Sequence, residues 1–193
     1  MPDHSQVSQG GAGKSRVFFA LWPDARVRER LAAEARNLQR RLGGRATRPD
    51  TLHLTLLFIG DVDDSRLAGL IRAAERVESP GFVMCLDHAH CWRHNHIAYR
   101  GIRHPPAQLT DLVRLLAEQV ERVGVGFDAK PFKPHVTLVR KADCDGFDDS
   151  GNVETESPAS DSVFWSARDF VLVKSSLRPD GARYEQLGRW PLP

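Results

Sequence analysis

Apolar and polar residues follow each other along this chain in two recurring patterns, one typical of strands and one typical of helices. Residues 17–21 (VFFAL) form a short apolar run that ends at Trp22 and Pro23, which predicts a buried strand. Apolar residues then recur at steps of three and four between Asp24, a capping residue, and Gly43, which predicts an amphipathic helix. The apolar positions of this helix are Val27, Leu31, Ala35, Leu38 and Leu42.

The order of strand, helix and strand is predicted twice. The first half continues with a strand over 52–59, an amphipathic helix that runs to Ser79 and a strand near 82–86. The second half is predicted to hold a strand at 97–99, a helix after Pro106, a strand after Pro134, a surface loop over 143–161 and a last strand at 170–173. Because the two halves share this order, we predict an internal duplication with two-fold pseudosymmetry.

Each half contains one copy of a His-x-Thr-Leu pattern, HLTL at 53–56 and HVTL at 135–138. On a strand, the His and the Thr of one copy point to the same face because side chains alternate. Two copies facing each other would supply a proton donor, a proton acceptor and two neutral hydrogen-bond donors around one small anionic group, which fits a phosphodiester. An unperturbed pKa of about 6.5 lets one imidazole be protonated and the other neutral near pH 7. The predicted site residues are His53 and Thr55 of the first motif and His135 and Thr137 of the second motif.

Composition indicates an ordinary globular protein. The 193 residues are 41% hydrophobic and can bury one core, in one compact domain or in two lobes. We expect a polar, glycine-rich leader without stable structure at 1–15 and a single bilobal domain over 16–193. The net charge of +2 does not suggest wrapping of duplex nucleic acid but permits a local phosphate-binding cleft. No apolar run approaches about 18 residues, and the N-terminus lacks a hydrophobic signal core, so we expect neither membrane insertion nor export.

Cysteine usage points to a reducing compartment. Cys85, Cys91 and Cys144 are odd in number and lack C-x-x-C spacing, which argues against a disulfide framework and against a thiolate zinc site. We therefore predict a cytoplasmic protein.

Two further patterns suggest other ligands. The string GGAGKS at 10–15 ends like a phosphate-binding loop, but Ser8 occupies the place of the first required glycine and the string precedes a strand, so we do not expect nucleoside triphosphate binding. A histidine-rich segment is predicted to form a hairpin that turns at 93–95 and exposes groups that could hold zinc. We expect at most adventitious metal binding there, no catalytic metal and no cofactor. The candidate ligands are His88, His90, Cys91, His94 and His96.

The paired motifs resemble those of the 2H phosphoesterase superfamily and, within it, the bacterial and archaeal RNA 2′,3′-cyclic phosphodiesterases, long called 2′-5′ RNA ligases. The matching segments are 19–23 (FALWP), 53–56 with 58–60 (FIG), 134–138 with Arg140, and 173–175 (VKS). The resemblance implies a bilobal α+β fold in which two antiparallel β-sheets line a central cleft and the helices lie outside. It also implies hydrolysis of a terminal 2′,3′-cyclic phosphate to a 2′-phosphomonoester.

The resemblance also implies roles for the site residues. It makes His53 the proton donor to the leaving 3′ oxygen and His135 the proton acceptor from water, although the symmetry of the motifs leaves this assignment open from sequence alone. Thr55 and Thr137 are predicted to hydrogen-bond the non-bridging phosphate oxygens. Arg140 either reaches the phosphate as a permanent cation or is a solvated arginine at a strand end. The expected partners are RNA ends or small cyclic nucleotides, bound by a monomer.

Two alternatives to this function stay open: a non-catalytic module that binds RNA ends, and a phosphodiesterase for another ester, such as a 2′-5′ linkage or ADP-ribose cyclic phosphate. Some aromatic residues could stack on a base, but core positions are favoured for most of them. They are Phe18, Trp22, Phe58 and Phe132. The arginines of the first helix could follow an RNA backbone, but a solvated helix face is favoured. They are Arg26, Arg28, Arg30, Arg36, Arg40 and Arg41.

Overall fold

A computed structural model of the chain describes residues 13–146, 162–178 and 181–193. The helices are α1 (Ala25–Leu42), α2 (Leu67–Glu75) and α3 (Ala107–Arg122). The strands are β1 (Lys14–Leu21), β2 (Arg45–Ala46), β3 (Leu54–Asp63), β4 (Phe82–Leu86), β5 (His88–Trp92), β6 (Ile97–Gly101), β7 (His135–Arg140), β8 (Val163–Ala167), β9 (Asp169–Arg178) and β10 (Gly181–Pro191). Short 3-10 turns lie at Pro49–Thr51, Asp64–Arg66 and Cys144–Gly146.

Nearly all strands belong to one large antiparallel sheet with the order β10-β9-β1-β3-β7-β6-β5, and β2 pairs with the free part of β7. A separate two-stranded sheet is formed by β4 and β8. The central strands β3 and β7 are joined by a single residue pair, Leu54 with Val136. The large sheet therefore consists of two four-stranded parts that meet at one pair, and the predicted α+β class with antiparallel sheets is confirmed.

The helices cover the face of the sheet that carries the apolar side chains. Helix α1 packs on β7 and β8, and α3 packs on β3. Each of these long helices thus covers the strand of the motif that belongs to the other half of the chain. Helix α1 buries the predicted apolar stripe, and the Val27 N–H donates to the Asp24 carboxylate at 2.8 Å as an N-terminal cap. Helix α2 ends at Glu75, earlier than the predicted Ser79.

The N-terminal boundary differs from the prediction. Strand β1 begins at Lys14, so residues 14 and 15, predicted to lie in the leader, belong to the sheet. The reason is local packing, because Ser15 is buried and its hydroxyl donates to the Asp64 carboxylate. The rest of the predicted leader, at 1–12, and most of the predicted surface loop, at 147–161, lie outside the described residues.

The prediction against a disulfide is wrong, because a disulfide bond joins Cys91 and Cys144, with their Cα atoms 5.7 Å apart. Cys91 lies on β5 and Cys144 follows β7, and these segments approach each other across β6, which spacing in the sequence does not reveal. Cys85 is the unpaired third cysteine. In the part of the chain that the structure describes, no helix is long and apolar enough to span a membrane.

Candidate active site

The predicted motifs meet where the two parts of the sheet join. Leu54 and Val136, which form the joining pair, are fully buried and face the helices. Side chains alternate along a strand, so the His and the Thr on either side of each of these residues point to the opposite face. In antiparallel pairing, the His of one motif lies across from the Thr of the other. All four predicted side chains line one cleft of about 800 Å³.

The two imidazoles are held by matching hydrogen bonds. His53 Nδ1–H donates to the Thr51 carbonyl at 2.7 Å, and His135 Nδ1–H donates to the Lys133 carbonyl at 2.7 Å. Because a carbonyl can only accept, each bond keeps the proton on Nδ1 and fixes the ring orientation. The Nε2 atom of each ring is then the acceptor when the ring is neutral and the donor when it is charged.

Both imidazoles are weaker bases than an exposed histidine. Burial lowers the pKa of His53 from 6.5 to about 4, with the charges of Arg140 and His135 acting in the same direction and the bond to Thr51 opposing them. Burial also lowers the pKa of His135, again assisted by Arg140 and opposed by the bond to Lys133. Both rings are thus neutral near pH 7 in the open cleft, and an anion placed between them would raise both pKa values.

A bulge brings Arg140 to the face of the sheet that carries His135 and Thr137. Strict alternation would place Arg140 on the face opposite His135, because the two are separated by an odd number of positions. However, successive residues of β6 pair with Val139 and then with Thr137, so Leu138 has no partner. Leu138 and Val139 are both fully buried, and Arg140 returns to the cleft, which it lines. This geometry supports the phosphate-binding interpretation of Arg140.

The first motif contains the same bulge. Successive residues of β1 pair with Leu57 and then with Thr55, so Leu56 has no partner. Phe58 therefore occupies the position in the first motif that the arginine occupies in the second, and it also lines the cleft. The guanidinium of Arg16 lies over the Phe58 ring at 4.8 Å. Each half of the site thus has a guanidinium near this position. In the second half it is that of Arg140, and in the first half it is that of Arg16, which lies over the Phe58 ring.

Aromatic rings surround His53 on three sides. Trp22 stacks on the imidazole with ring centroids 5.4 Å apart and planes 9° apart. Phe18 lies at 4.9 Å and Tyr184 meets the ring edge-on at 5.3 Å. The expectation that Phe18 is a core residue is confirmed by its burial, but its ring also contacts the His53 imidazole. Tyr184 was missed, because it lies on β10, far along the chain from the motif.

His135 has a different aromatic environment. Trp92 meets its ring nearly edge-on with centroids 4.6 Å apart, and Tyr99 lies at 5.5 Å. These residues come from the β5–β6 hairpin, which the sequence predicted as a hairpin but not as part of this site. Phe132, the remaining candidate for base stacking, is partly buried and packs against the main core.

The cleft is electropositive. The side chains that line it include four arginines and, among the described residues, no carboxylate. The arginines are Arg16, Arg45, Arg48 and Arg140. The arginines of α1 are absent from this lining set of described residues, in line with a solvated helix face. Arg45 and Arg48 were not predicted as site residues, because they precede the first motif in a segment without strand periodicity and reach the cleft through the pairing of β2 with β7.

The histidine-rich hairpin does not gather metal ligands. Cys91 is in the disulfide, and its backbone N–H donates to His90 Nδ1 at 2.7 Å. His96 Nδ1–H donates to the Ala142 carbonyl at 3.2 Å. Over residues 13–146, 162–178 and 181–193, no group of three or more His, Cys, Asp or Glu side chains is placed to hold a metal ion.

Comparison with known proteins decides the family. The family model described as "LigT like Phosphoesterase" matches residues 21–102 and again residues 101–184. The chain belongs to this family. The two successive matches correspond to the two halves of the predicted duplication. The RNA 2′,3′-cyclic phosphodiesterase of Escherichia coli (strain K12) is 33% identical over 177 residues, which cover 92% of this chain and 96% of that protein. The enzyme of the same name from Thermus thermophilus is 27% identical over 188 residues, covering 92% of this chain and 90% of that protein.

Comparison with solved structures supports the same family assignment. The crystal structure of E. coli LigT in its apo form matches with a TM-score of 0.76 and 32% identity, covering 92% of this chain and 97% of that chain. The complex of E. coli LigT with 3′-AMP also matches with a TM-score of 0.76 and 32% identity. The chain is thus a phosphodiesterase of this family.

Proposed function

We propose that the enzyme hydrolyses the 2′,3′-cyclic phosphate at RNA ends to a 2′-phosphomonoester, with His53 as proton donor and His135 as proton acceptor. The observation that carries this proposal is the matched pair of imidazoles, each with Nδ1–H bonded to the carbonyl two residues earlier and Nε2 left for proton transfer. The names of the curated relatives and the binding of 3′-AMP by E. coli LigT support the choice of substrate.

The reaction is a single displacement at phosphorus. The water oxygen forms a bond to phosphorus while His135 Nε2 takes the water proton. The bond between phosphorus and the 3′ oxygen breaks, and the protonated His53 Nε2 gives its proton to that oxygen. The 2′ ester bond is kept, so the product carries a 2′-phosphate and a 3′-hydroxyl. Each proton transfer by a positioned side chain is worth roughly 10²- to 10⁴-fold in rate.

The remaining site residues stabilise the phosphate. Thr55 and Thr137 line the same cleft as the imidazoles, which supports a role in donating their hydroxyl protons to the non-bridging oxygens. Arg140 influences the pKa of both histidines and is therefore close enough to offset the charge that develops on those oxygens. The substrate's negative charge raises the lowered pKa of His53, which favours the protonated form that the reaction requires.

We propose that this chemistry needs no metal and no cofactor. Protein sites that use a catalytic zinc ion usually supply three nitrogen, sulfur or oxygen ligands, and carboxylates are the ligands that Mg²⁺ prefers. The described lining of the cleft instead offers two imidazole Nε2 atoms among four arginines, which repel a divalent cation and attract a phosphate.

The test is incubation of the purified protein with an oligoribonucleotide that ends in a 2′,3′-cyclic phosphate, in the presence of EDTA. We expect conversion to the 2′-phosphate, identified by ³¹P NMR. Tight binding without product would favour the non-catalytic binding module, and loss of turnover on chelation would contradict the metal-free step. Turnover of a 2′-5′-linked dinucleotide or of an ADP-ribose cyclic phosphate, but not of the RNA end, would mean that the enzyme acts on that ester instead.

The same step gives 2′-5′ ligation when a 5′-hydroxyl of RNA replaces water as the nucleophile. We propose that ligation accompanies hydrolysis when such ends are concentrated, and a gel that separates joined from hydrolysed products tests it. A cytoplasmic location and a monomeric state also stay predictions. Because persistent disulfides are rare in reducing compartments, cell fractionation is the direct test of location, and size-exclusion chromatography tests the oligomeric state.

A further inference from the structure

Two arginines at one end of the cleft face each other across a strand pair. Arg45 on β2 lies directly opposite Arg140 on β7, and both line the cleft. Like charges directly opposite each other destabilise a sheet. Within the described chain, neither guanidinium forms an ion pair that would offset this repulsion. Local arrangements that oppose stability are expected where a ligand binds, since the ligand then supplies the missing partner.

A third arginine completes this end of the cleft. Arg48 Nη2 donates to the Ala182 carbonyl at 3.0 Å, and Arg48 Nε donates to the Asp50 carboxylate at 3.3 Å in a salt bridge. Burial raises the pKa of Tyr184, but Arg140 and Arg48 both act to lower it, so both cations lie near the Tyr184 side chain, which also lines the cleft.

This group of arginines extends beyond the reacting phosphate. Arg140 is the last residue of β7, so its backbone lies roughly 15 Å along the strand from that of His135, while its side chain lines the same cleft. Arg140 lowers the pKa of both catalytic histidines, whereas Arg45 is not among the groups that affect either one. Arg140 therefore acts on the imidazoles, and Arg45, paired directly opposite it on β2, adds a second positive charge to the cleft that can bind a further anion.

We propose that Arg45 and Arg48, together with Arg140, form a second anion subsite that binds the phosphodiester on the 5′ side of the terminal nucleotide. This inference rests on the proposed function, because it takes the cyclic phosphate of an RNA end as the group between the imidazoles. Its consequence is substrate choice: the enzyme prefers an RNA end, which has this second phosphate, over a cyclic mononucleotide, which lacks it.

The test compares two substrates and three proteins. The substrates are adenosine 2′,3′-cyclic phosphate and the dinucleotide ApA with a 2′,3′-cyclic phosphate, and the proteins are the wild type, Arg45→Gln and Arg72→Gln. Arg72 is exposed on α2 outside the cleft, so its variant removes the same charge elsewhere. We expect Arg45→Gln to lower kcat/KM about tenfold to a hundredfold for the dinucleotide, as for loss of a charged hydrogen bond, and to leave the mononucleotide within about threefold. Arg72→Gln should leave both unchanged.

Salt and thermal stability give independent readouts. The logarithm of kcat/KM for the dinucleotide should fall with the logarithm of salt concentration, and Arg45→Gln should reduce that slope by about 0.7. The variant should unfold at the same or a higher temperature than the wild type, because it removes a repulsive pair. Added inorganic phosphate should raise the unfolding temperature of the wild type more than that of the variant.

Two results would overturn the subsite: equal losses on both substrates, which would assign Arg45 to the reacting phosphate, or no loss on either. Failure of the proposed function is a separate result, in which the wild type hydrolyses neither substrate. In that case, calorimetry with ApA 2′-phosphate and adenosine 2′-phosphate still tests the subsite. A wild-type preference for the dinucleotide that Arg45→Gln removes supports it, and no preference contradicts it.

Discussion

The two halves of the active site share a backbone plan and differ in what surrounds the imidazole. In each half, the histidine is bonded to the carbonyl two residues earlier, a threonine follows, a bulge comes next and one further side chain reaches the cleft. Around His53, however, Trp22, Phe18 and Tyr184 enclose the ring, and its pKa falls to about 4. A duplicated backbone arrangement thus carries two histidines in different aromatic surroundings, and burial lowers the pKa of both of them.

The largest expected effect comes from removing either imidazole. We expect His53→Ala and His135→Ala each to lower kcat for the cyclic-phosphate oligonucleotide by at least about 10²-fold, since each removes one proton transfer. His104→Ala, at an exposed site outside the cleft, is the matched control and should retain full activity. Circular dichroism should show that all three variants are folded. A single variant of either catalytic histidine with wild-type kcat would refute the shared mechanism.

Arg140 and Phe58 occupy equivalent positions after the two bulges, but we expect their substitution to affect kcat/KM differently. Arg140→Gln is expected to lower kcat/KM about tenfold to a hundredfold through loss of a charged contact to phosphate. Because Arg140 lowers the pKa of both histidines, the variant should also move both limbs of the pH profile to higher pH. Phe58→Leu removes no charge from the cleft lining and should stay within about threefold of the wild type. Equal effects of the two substitutions would mean that the halves bind the phosphate alike.

The two threonines should contribute similarly, because each lies across the sheet junction from the other motif's histidine. Thr55→Val and Thr137→Val keep the β-branched shape and remove only the hydroxyl. Each is expected to lower kcat about tenfold, with little change in unfolding temperature, through loss of one donor to the non-bridging oxygens. Single-turnover kinetics measures the effect on the chemical step. Loss of stability without loss of rate would assign the threonines to strand packing.

The smallest effect concerns the pH profile. In the free enzyme, both histidine pKa values lie below 6.5, so kcat/KM should rise as pH falls below 7 and decline again below about pH 4, where both rings are charged. The kcat profile should lie at higher pH, because bound phosphate raises both values.

The substitution Trp22→Leu should change the pKa of one histidine and not that of the other. It exposes His53 to water, and because burial is the main cause of the lowered pKa, that pKa should move back towards 6.5 while the pKa of His135 changes little. Loss of the cation–π contact with the Trp22 ring acts in the opposite direction, so a His53 pKa at or below about 4 in this variant would mean that stacking outweighs burial. NMR titration of the two imidazoles checks both values, and Trp22→Phe should restore most of the wild-type behaviour.

The His-x-Thr motifs could be predicted from the sequence because the placement of their side chains depends only on the strand that carries them. His53, Thr55 and their counterparts share a face through simple alternation, and α1 follows its apolar stripe. The face of Arg140 was not fixed by alternation, since it depends on the bulge at Leu138 and Val139, which pairing with β6 determines.

Other parts depend on contacts between distant segments. Strand β8 places Phe164 on its exposed side, so its sequence lacks the contrast between apolar and polar faces that marks a half-buried strand. Strand β10 has no alternation of buried and exposed positions, although it carries Tyr184 to the first imidazole. The position of Arg45 in the cleft and the bond between Cys91 and Cys144 likewise depend on how β7 and its neighbouring strands are arranged in the sheet.

The single residue pair between Leu54 and Val136 leaves the two four-stranded parts with little main-chain hydrogen bonding to each other. Each imidazole is anchored within its own part, so the distance between the rings depends on side-chain packing beneath the junction. That packing is continuous, because one buried cluster contains residues of both parts and α1 packs on β7. Substitutions in this shared core can therefore alter the spacing of the rings without touching either histidine.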